Sequence, residues 1–256
     1  MLTEQIRQFK KKVKESYVLG PFAKTCDPGF IEILGYGGFD FVIIDLEHGP
    51  NTMQTAQDLV RAAQISQLLP IVRVKERVPS VIGEALDIGA GGIHVPQITS
   101  AEDARSVLDR AKFAPEGMRG VCRFVRAGKY SSMDRFQYFK EANEAVIIVG
   151  LEGTEAIEKV DEIIAVDGVD IVFVGPYDLS QSLGVTGQID HPMVTDKMVE
   201  IIEKCLSKGI AVGTFVETVE GARKWRDLGV KYLCYSVDTG IFHQACHEIV
   251  VQTRRD

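Results

Sequence analysis

Asp45, Glu47 and His48 crowd two carboxylates and an imidazole onto the end of the apolar run Phe39-Asp40-Phe41-Val42-Ile43-Ile44. A run rich in β-branched residues and bounded by glycines reads as a buried parallel strand. Parallel α/β sheets bind ligands where their strands end. The segment can therefore serve proton transfer or ligand binding; the simpler reading is a capped strand-to-helix turn with a surface histidine. Three other strand ends share the pattern. Arg73 ends Pro70-Ile71-Val72, Glu152 ends Val149-Gly150-Leu151, and Gly175-Pro176-Tyr177-Asp178 follows Ile171-Val172-Phe173-Val174. Charge at the end of a buried strand is costly unless it is paired, metal-bound or wet.

Glu152 and Asp178 form a natural pair for a hard divalent cation. Two carboxylates, waters and a chelating substrate complete the oxygen shell that Mg²⁺ or Mn²⁺ prefers. A zinc site calls for more His or Cys, and none are arranged for it. The same carboxylates could instead pair with Arg73, or Glu152 could cap the helix that starts at Thr154. Other signals carry less. His243-Gln244-Ala245-Cys246-His247 has zincin spacing, but glutamine replaces the glutamate that acts as base. Gly35-Tyr36-Gly37-Gly38 and Gly89-Ala90-Gly91-Gly92 precede strands, so they read as helix ends and not phosphate loops. His94, within the fourth strand, reads as a core or near-site histidine.

The elements that must position these residues alternate regularly. Expected strands are Tyr17–Ala23, Phe39–Asp45, Leu69–Val74, Gly92–Val95, Ala145–Leu151, Val169–Val174, Ile210–Phe215 and Lys231–Ser236. Helical patterns follow at Pro28–Gly35, Asn51–Gln67, Pro79–Gly89, Ser100–Lys112, Thr154–Ala165, Pro192–Lys208, Thr218–Leu228 and Thr239–Thr253. With an N-terminal helix burying Ile6, Phe9 and Val13, this is the count of an α/β (β/α)8 TIM barrel; an open doubly wound sheet is the alternative. Gly35, Gly89, Gly209 and Gly229 each fall where a helix should stop. No linker or composition shift divides residues 1–256, so one barrel domain is expected. The irregular stretch from Phe113 to about Ser132 carries Arg119, Arg123, Arg126 and Lys129, and reads either as a basic loop over the barrel mouth or as a solvated loop.

Composition narrows the partners. A net charge of -7 argues against nucleic acid, and no apolar run is long enough to span a membrane. The opening segment lacks the apolar core of a signal peptide. Five scattered cysteines without a CxxC fit reduced thiols in a cytoplasmic protein.

The segments DFVIIDLEHGP, PIVRV, ALDIGAGGIHVPQI, PEGMRGV, GLEGTEA, VDGVDIVFVGPYDLS and VGTF…YSVD resemble the HpcH/HpaI aldolase family, in order, from about Phe9 to the last helix. The resemblance implies metal-dependent retro-aldol cleavage of a 2-keto-4-hydroxy acid to pyruvate and an aldehyde. It implies Glu152 and Asp178 as ligands of Mg²⁺ or Mn²⁺, with Co²⁺ a further candidate. The Gly175, Pro176, Tyr177 and Asp178 turn would hold the substrate carboxylate through its backbone, and Arg73 would stabilise the enolate oxygen. His48 would be the base that removes the 4-hydroxyl proton, through a bound water. Asp45 would order water at the metal, and Asp87 would raise the basicity of His48. Asp87 falls at a helix C-terminus, away from the site in its own subunit, so that contact should cross a subunit interface. The resemblance suggests a homo-oligomer, a hexamer, with no membrane partner.

Some positions depart from the family pattern. Gly150 stands where a substrate-contacting glutamine is usual, Gly153 where a threonine is usual, and Tyr177 where a small residue is usual. These motivate a second reading, a barrel that binds metal and 2-keto acid without turnover. A lyase for acyl-CoA or citryl-type substrates is a third, disfavoured by the short chain.

Overall fold

The computed structural model describes residues 2–76 and 78–255; the ends of the expected domain, Met1 and Asp256, lie outside them. Strands β1 (Val18–Ala23), β2 (Phe41–Asp45), β3 (Leu69–Arg73) and β4 (Gly92–Val95) lead to β5 (Val146–Leu151), β6 (Ile171–Val174), β7 (Ala211–Val216) and β8 (Tyr232–Val237). Each is parallel to the next, and β8 pairs back to β1, so the described residues close an eight-stranded (β/α)8 barrel. That pairing rules out the open sheet.

Helix α1 (Leu2–Glu15) precedes β1. Helices α2 (Pro28–Tyr36), α3 (Met53–Ile65), α4 (Pro79–Asp87) and α5 (Ala101–Ala111) follow the first four strands. Then come α6 (Arg135–Ala142), α7 (Thr154–Glu158), α8 (Val160–Ile163), α9 (Pro176–Ser182), α10 (Pro192–Ser207), α11 (Val219–Asp227) and α12 (Asp238–Thr253). Local chemistry sets several starts: Asp27 caps α2, Thr52 and Thr55 form a reciprocal box on α3, and Ser100 caps α5.

Strand parity divides the core in two. Phe22, Phe41, Ile43, Ile71, Ile148, Phe173 and Tyr232 fill the barrel, with Phe41 stacked on Tyr232 at 4.2 Å. Alternate residues such as Val42, Ile44, Val72, Ile93, Val149 and Val172 pack outward against the helices. From α1, Ile6, Phe9 and Val13 plug the N-terminal end, where Phe9 meets Phe41 edge-on at 5.9 Å. The same parity turns Lys24, Asp45, Arg73, His94, Gly150, Glu152 and Gly175 toward the barrel axis at the other end.

Three expectations change. Gly35 lies inside α2, where a Cβ would meet the side chain and carbonyl of Ser66 at 2.5 Å, so close packing on the end of α3 selects it; Gly38 holds the positive φ of +92°. The helix expected over Thr154–Ala165 is broken at Lys159 into α7 and α8. The loop after Phe113 does not lie over the mouth. It joins a helix to a strand, which places it at the N-terminal end of the barrel, whereas the mouth is built from strand-to-helix connections. Arg119 there pairs with Asp87 at 2.5 Å, and Arg126 donates to the Ile88 carbonyl at the end of α4 and to Gln64.

Candidate active site

Asp45 and Arg73 are register partners on adjacent strands, and both point inward. Asp45 is fully buried and accepts two parallel bonds from Arg73, Nε at 2.8 Å and Nη2 at 2.7 Å. It also binds Lys24 Nζ and accepts the backbone N–H of Glu47 at 3.0 Å and of His48 at 3.3 Å. Burial alone would raise its pKa, but Arg73 and Lys24 outweigh that and hold the carboxyl below the usual carboxylate range. With both oxygens so engaged, Asp45 anchors the cations and the turn.

Arg73 thus enters the mouth as a fixed fork. Its guanidinium lies 4.5 Å from the Phe22 ring centroid, and Nη1 sits 3.2 Å from Glu47 Oε2. That oxygen is buried and lacks an aligned hydrogen bond. His48, with its side chain 65% exposed, stands at the rim with Nε2 3.9 Å from the same oxygen. Burial raises the Glu47 pKa against the pull of Arg73.

Glu152 faces this group from β5. Burial first, then the charges of Glu47 and Asp178, push its pKa up to about 7, against the opposing charge of Arg73. Asp178 comes from the first turn of α9. A Cβ built on Gly175 would lie 3.1 Å from Asp178 Oδ2 and 3.7 Å from Glu152 Cγ, so the missing side chain lets the two carboxylates approach. Four carboxylates, Asp45, Glu47, Glu152 and Asp178, against the two cations Arg73 and Lys24 leave excess negative charge, and the donors are hard oxygens. That set fits a divalent cation, with Glu152 and Asp178 free of the ion pairs that engage Asp45 and Glu47. No cluster of three or more His, Cys, Asp or Glu in metal-holding arrangement occurs among the described residues, so a cation would draw its remaining ligands from water and substrate.

A carboxylate must be ionised to hold a cation. Because Glu152 carries a raised pKa of about 7, Mn²⁺ affinity should climb with pH up to about 7 and level off above it. Below that, the loss should approach about tenfold per pH unit, read by calorimetric titration at several pH values.

Tyr177 lies on the rim. Its hydroxyl donates to Glu217 Oε2 at 2.9 Å and its ring sits 6.1 Å from that of Phe215. His94 lies on the floor, fully buried beside Phe173 at 4.7 Å. Burial, aided by the charge of Arg73, lowers its pKa to about 3, so the ring is neutral.

The structure brings together Asp45, His48, Arg73, Gly150, Glu152, Gly175, Pro176, Tyr177 and Asp178. It leaves out Asp87, which sits at the end of α4 against Arg119. Lys24 and Asp238 escaped the sequence reading. Asp238 is buried and accepts from the Lys24 and Thr25 backbones and the Thr25 hydroxyl, closing the β8–β1 seam beside the mouth. A lysine ending the apolar Phe22-Ala23 segment is the signal that marked Arg73.

A barrel with a carboxylate pair and a fixed guanidinium at its mouth can hold a cation and an oxyanion side by side. Residues 19–245 match the HpcH/HpaI aldolase/citrate lyase family, and the chain belongs to it. It is 32% identical over 232 residues, 90% of each chain, to the 5-keto-4-deoxy-D-glucarate aldolase of Enterobacter sp. (strain 638). Among solved structures, an HpcH/HpaI aldolase/citrate lyase family protein from Burkholderia cenocepacia J2315 superposes with a TM-score of 0.92 at 30% identity, covering 97% of this chain and 99% of that one. The citrate synthase SbnG gives a TM-score of 0.87 at 28% identity, covering 97% and 96%.

Proposed function

We propose that this protein is a divalent-metal-dependent aldolase that cleaves a 2-keto-4-hydroxy acid to pyruvate and an aldehyde. The observation that carries it is the mouth itself: Glu152 and Asp178 both flank Gly175, and Asp45 holds Arg73 there through two hydrogen bonds. The family and the aldolase relatives support the same reaction.

A bound Mg²⁺ or Mn²⁺, with Co²⁺ as a further candidate, would be held by Glu152 and Asp178 and would supply Lewis-acid polarisation of the 2-keto group. The residues do the rest. His48 takes the proton of the 4-hydroxyl, the C3–C4 bond breaks, and its electron pair passes to the keto group as an enolate. Arg73 donates to that oxygen as its charge develops. The backbone of the Gly175–Asp178 turn, with Pro176 and Tyr177, holds the substrate carboxylate beside Gly150. Returning the proton to C3 releases pyruvate.

His48→Ala should lower kcat by about 10²–10⁴-fold. Because the imidazole stands at the rim with its side chain 65% exposed, the dissociation constant for Mn²⁺ should stay within about twofold. Steady-state pyruvate release and calorimetry check the two halves; equal loss of both would remove His48 from the base role.

Asp87 serves the reaction only across an interface, since in its own chain it pairs with Arg119 at the opposite end of the barrel. We assign the protein as one barrel domain that forms a homo-oligomer, a hexamer by resemblance. Exposed Met118, Val121 and Phe124 beside that end, and Phe242 and Ile249 on α12, support such contacts. Free cysteines at all five positions fit the cytoplasm. No described helix is long and apolar enough to cross a membrane.

A further inference from the structure

Of the two inward cations at the mouth, Arg73 has a task in the proposed reaction and Lys24 has none. Lys24 is the next inward residue after Phe22 on β1. Its Nζ binds Asp45 Oδ2, the oxygen that also accepts Arg73 Nη2 at 2.7 Å. Asp45 is paired without it, because Arg73 already donates to both carboxylate oxygens. Yet the lysine is carefully held. Its backbone N–H donates to Asp238 Oδ1 at 2.8 Å, and Thr25 beside it donates twice to the other oxygen of that buried carboxylate.

What Lys24 keeps is donor capacity in an open place. Asp45 is the one side-chain partner of Nζ among the described residues, so two of the three ammonium hydrogens remain. Arg73 is more committed: Nε and Nη2 go to Asp45, and Nη1 lies 3.2 Å from Glu47. The Lys24 side chain is 22% exposed against 11% for Arg73, and it is the more open of the two to a solute in the mouth.

Its place is opposite the carboxylate pair. In the closed order of eight strands, β1 and β5 stand four apart, on facing sides of the barrel. A 2-keto acid chelated at Glu152 and Asp178 through its first two carbons must run the rest of its chain across the mouth, away from β5 and β6. Charge agrees with that course. With a divalent cation bound, the ionised Asp45, Glu47, Glu152 and Asp178 meet an equal positive charge from the metal, Arg73 and Lys24. Without Lys24 these groups would be net negative and would repel a second carboxylate on the substrate.

We propose that Lys24 is a specificity-determining residue that recognises a carboxylate on the aldehyde half of the substrate, so that the protein acts on 2-keto-4-hydroxy diacids. The inference rests on the aldolase reading of the same mouth. An ammonium suits the task, because a compact charge with rotatable donors keeps its bond to Asp45 and turns the others to a carboxylate that arrives with the substrate.

Succinic semialdehyde and butanal are the probes, two aldehydes of equal length that differ by a carboxylate in place of a methyl. The value of kcat/KM for their addition to pyruvate is measured on Mn²⁺-loaded parent, Lys24→Met, Lys24→Gln and Lys24→Arg. The ratio between the aldehydes is read, since it does not depend on the fraction folded. The parent should favour the semialdehyde by about tenfold or more, the worth of one charge-assisted bond. Both neutral variants should bring the ratio close to one, and Lys24→Arg should keep most of it. Equal use of the aldehydes by the parent overturns the inference, as does a ratio that survives in both neutral variants. An equal loss in Lys24→Arg assigns Lys24 to shape and overturns it too. Deuterium exchange into the pyruvate methyl, followed by NMR, reports enolate formation without any aldehyde. Exchange without preferential addition of the semialdehyde leaves the aldolase reading standing and overturns the inference alone. A parent that neither exchanges those protons nor adds either aldehyde removes both.

Discussion

Replacing Arg73 with methionine lowers kcat by about 10²–10³-fold, the loss typical of removing one donor from a developing oxyanion. Methionine keeps the aliphatic stem but ends where the guanidinium begins, so it removes the face on Phe22 and both bonds to Asp45 together with the donor to substrate; kcat is therefore read on protein shown to be folded. The effect is large because the guanidinium does not have to be gathered from solution. The two bonds it donates to Asp45 and the face of Phe22 fix it before substrate arrives. Arg73→Lys should recover only part of the loss, since an ammonium cannot satisfy Asp45 with a parallel pair of bonds and still present a second edge to the substrate. Steady-state pyruvate release measures both. A methionine variant within fivefold of the parent would remove Arg73 from the chemistry.

Asp45→Ala carries the largest expected effect on stability, about 3–5 kcal/mol, the cost of leaving a buried charge without its partner. Asp45 is fully buried, and its removal strands Arg73, whose side chain is 11% exposed, together with Lys24. Two backbone N–H groups of the Glu47–His48 turn lose their acceptor as well. Urea unfolding reads the change as a lower midpoint at similar slope. Activity should fall with it, because the same carboxylate aims Arg73. The pH dependence follows the depressed pKa of Asp45. Its stabilisation is complete above the ordinary carboxylate range and is lost only as pH falls below that range, so neutral and mildly acidic solutions should not weaken this anchor.

The barrel was legible because periodicity and strand-end chemistry agree. Eight apolar runs each ended near a charged or glycine-bearing turn, and the observed strands match those expected to within two residues at either end, β4 with no difference. Arg73, Glu152 and Asp178 stood out as charges closing apolar runs. What the sequence concealed was partnership. That Asp45 chooses Arg73 depends on the β2–β3 register, and that Lys24 joins them depends on barrel closure beside β1. Helix α6 was passed over because its apolar spacing is irregular: Tyr138 is buried while Phe136 is exposed, and the start is set by Asp134 capping Phe136 and Gln137. For the basic loop the sequence left two readings open, over the mouth or merely solvated, although its side of the barrel follows from its neighbours, a helix before and a strand after. His94 reads as a core or near-site histidine in the sequence, and it is buried beside Phe173 in the layer of Arg73.

The most direct test is pyruvate release from a 2-keto-4-hydroxy acid by protein treated with EDTA, before and after Mn²⁺ or Mg²⁺ is returned, beside a Glu152→Gln variant. Chelation should abolish release, the added cation should restore it, and the variant should stay inactive and fail to bind Mn²⁺. Full activity in EDTA, or a Glu152→Gln variant that binds Mn²⁺ and turns over like the parent, would contradict a cation held by Glu152 and Asp178 as the centre of this site.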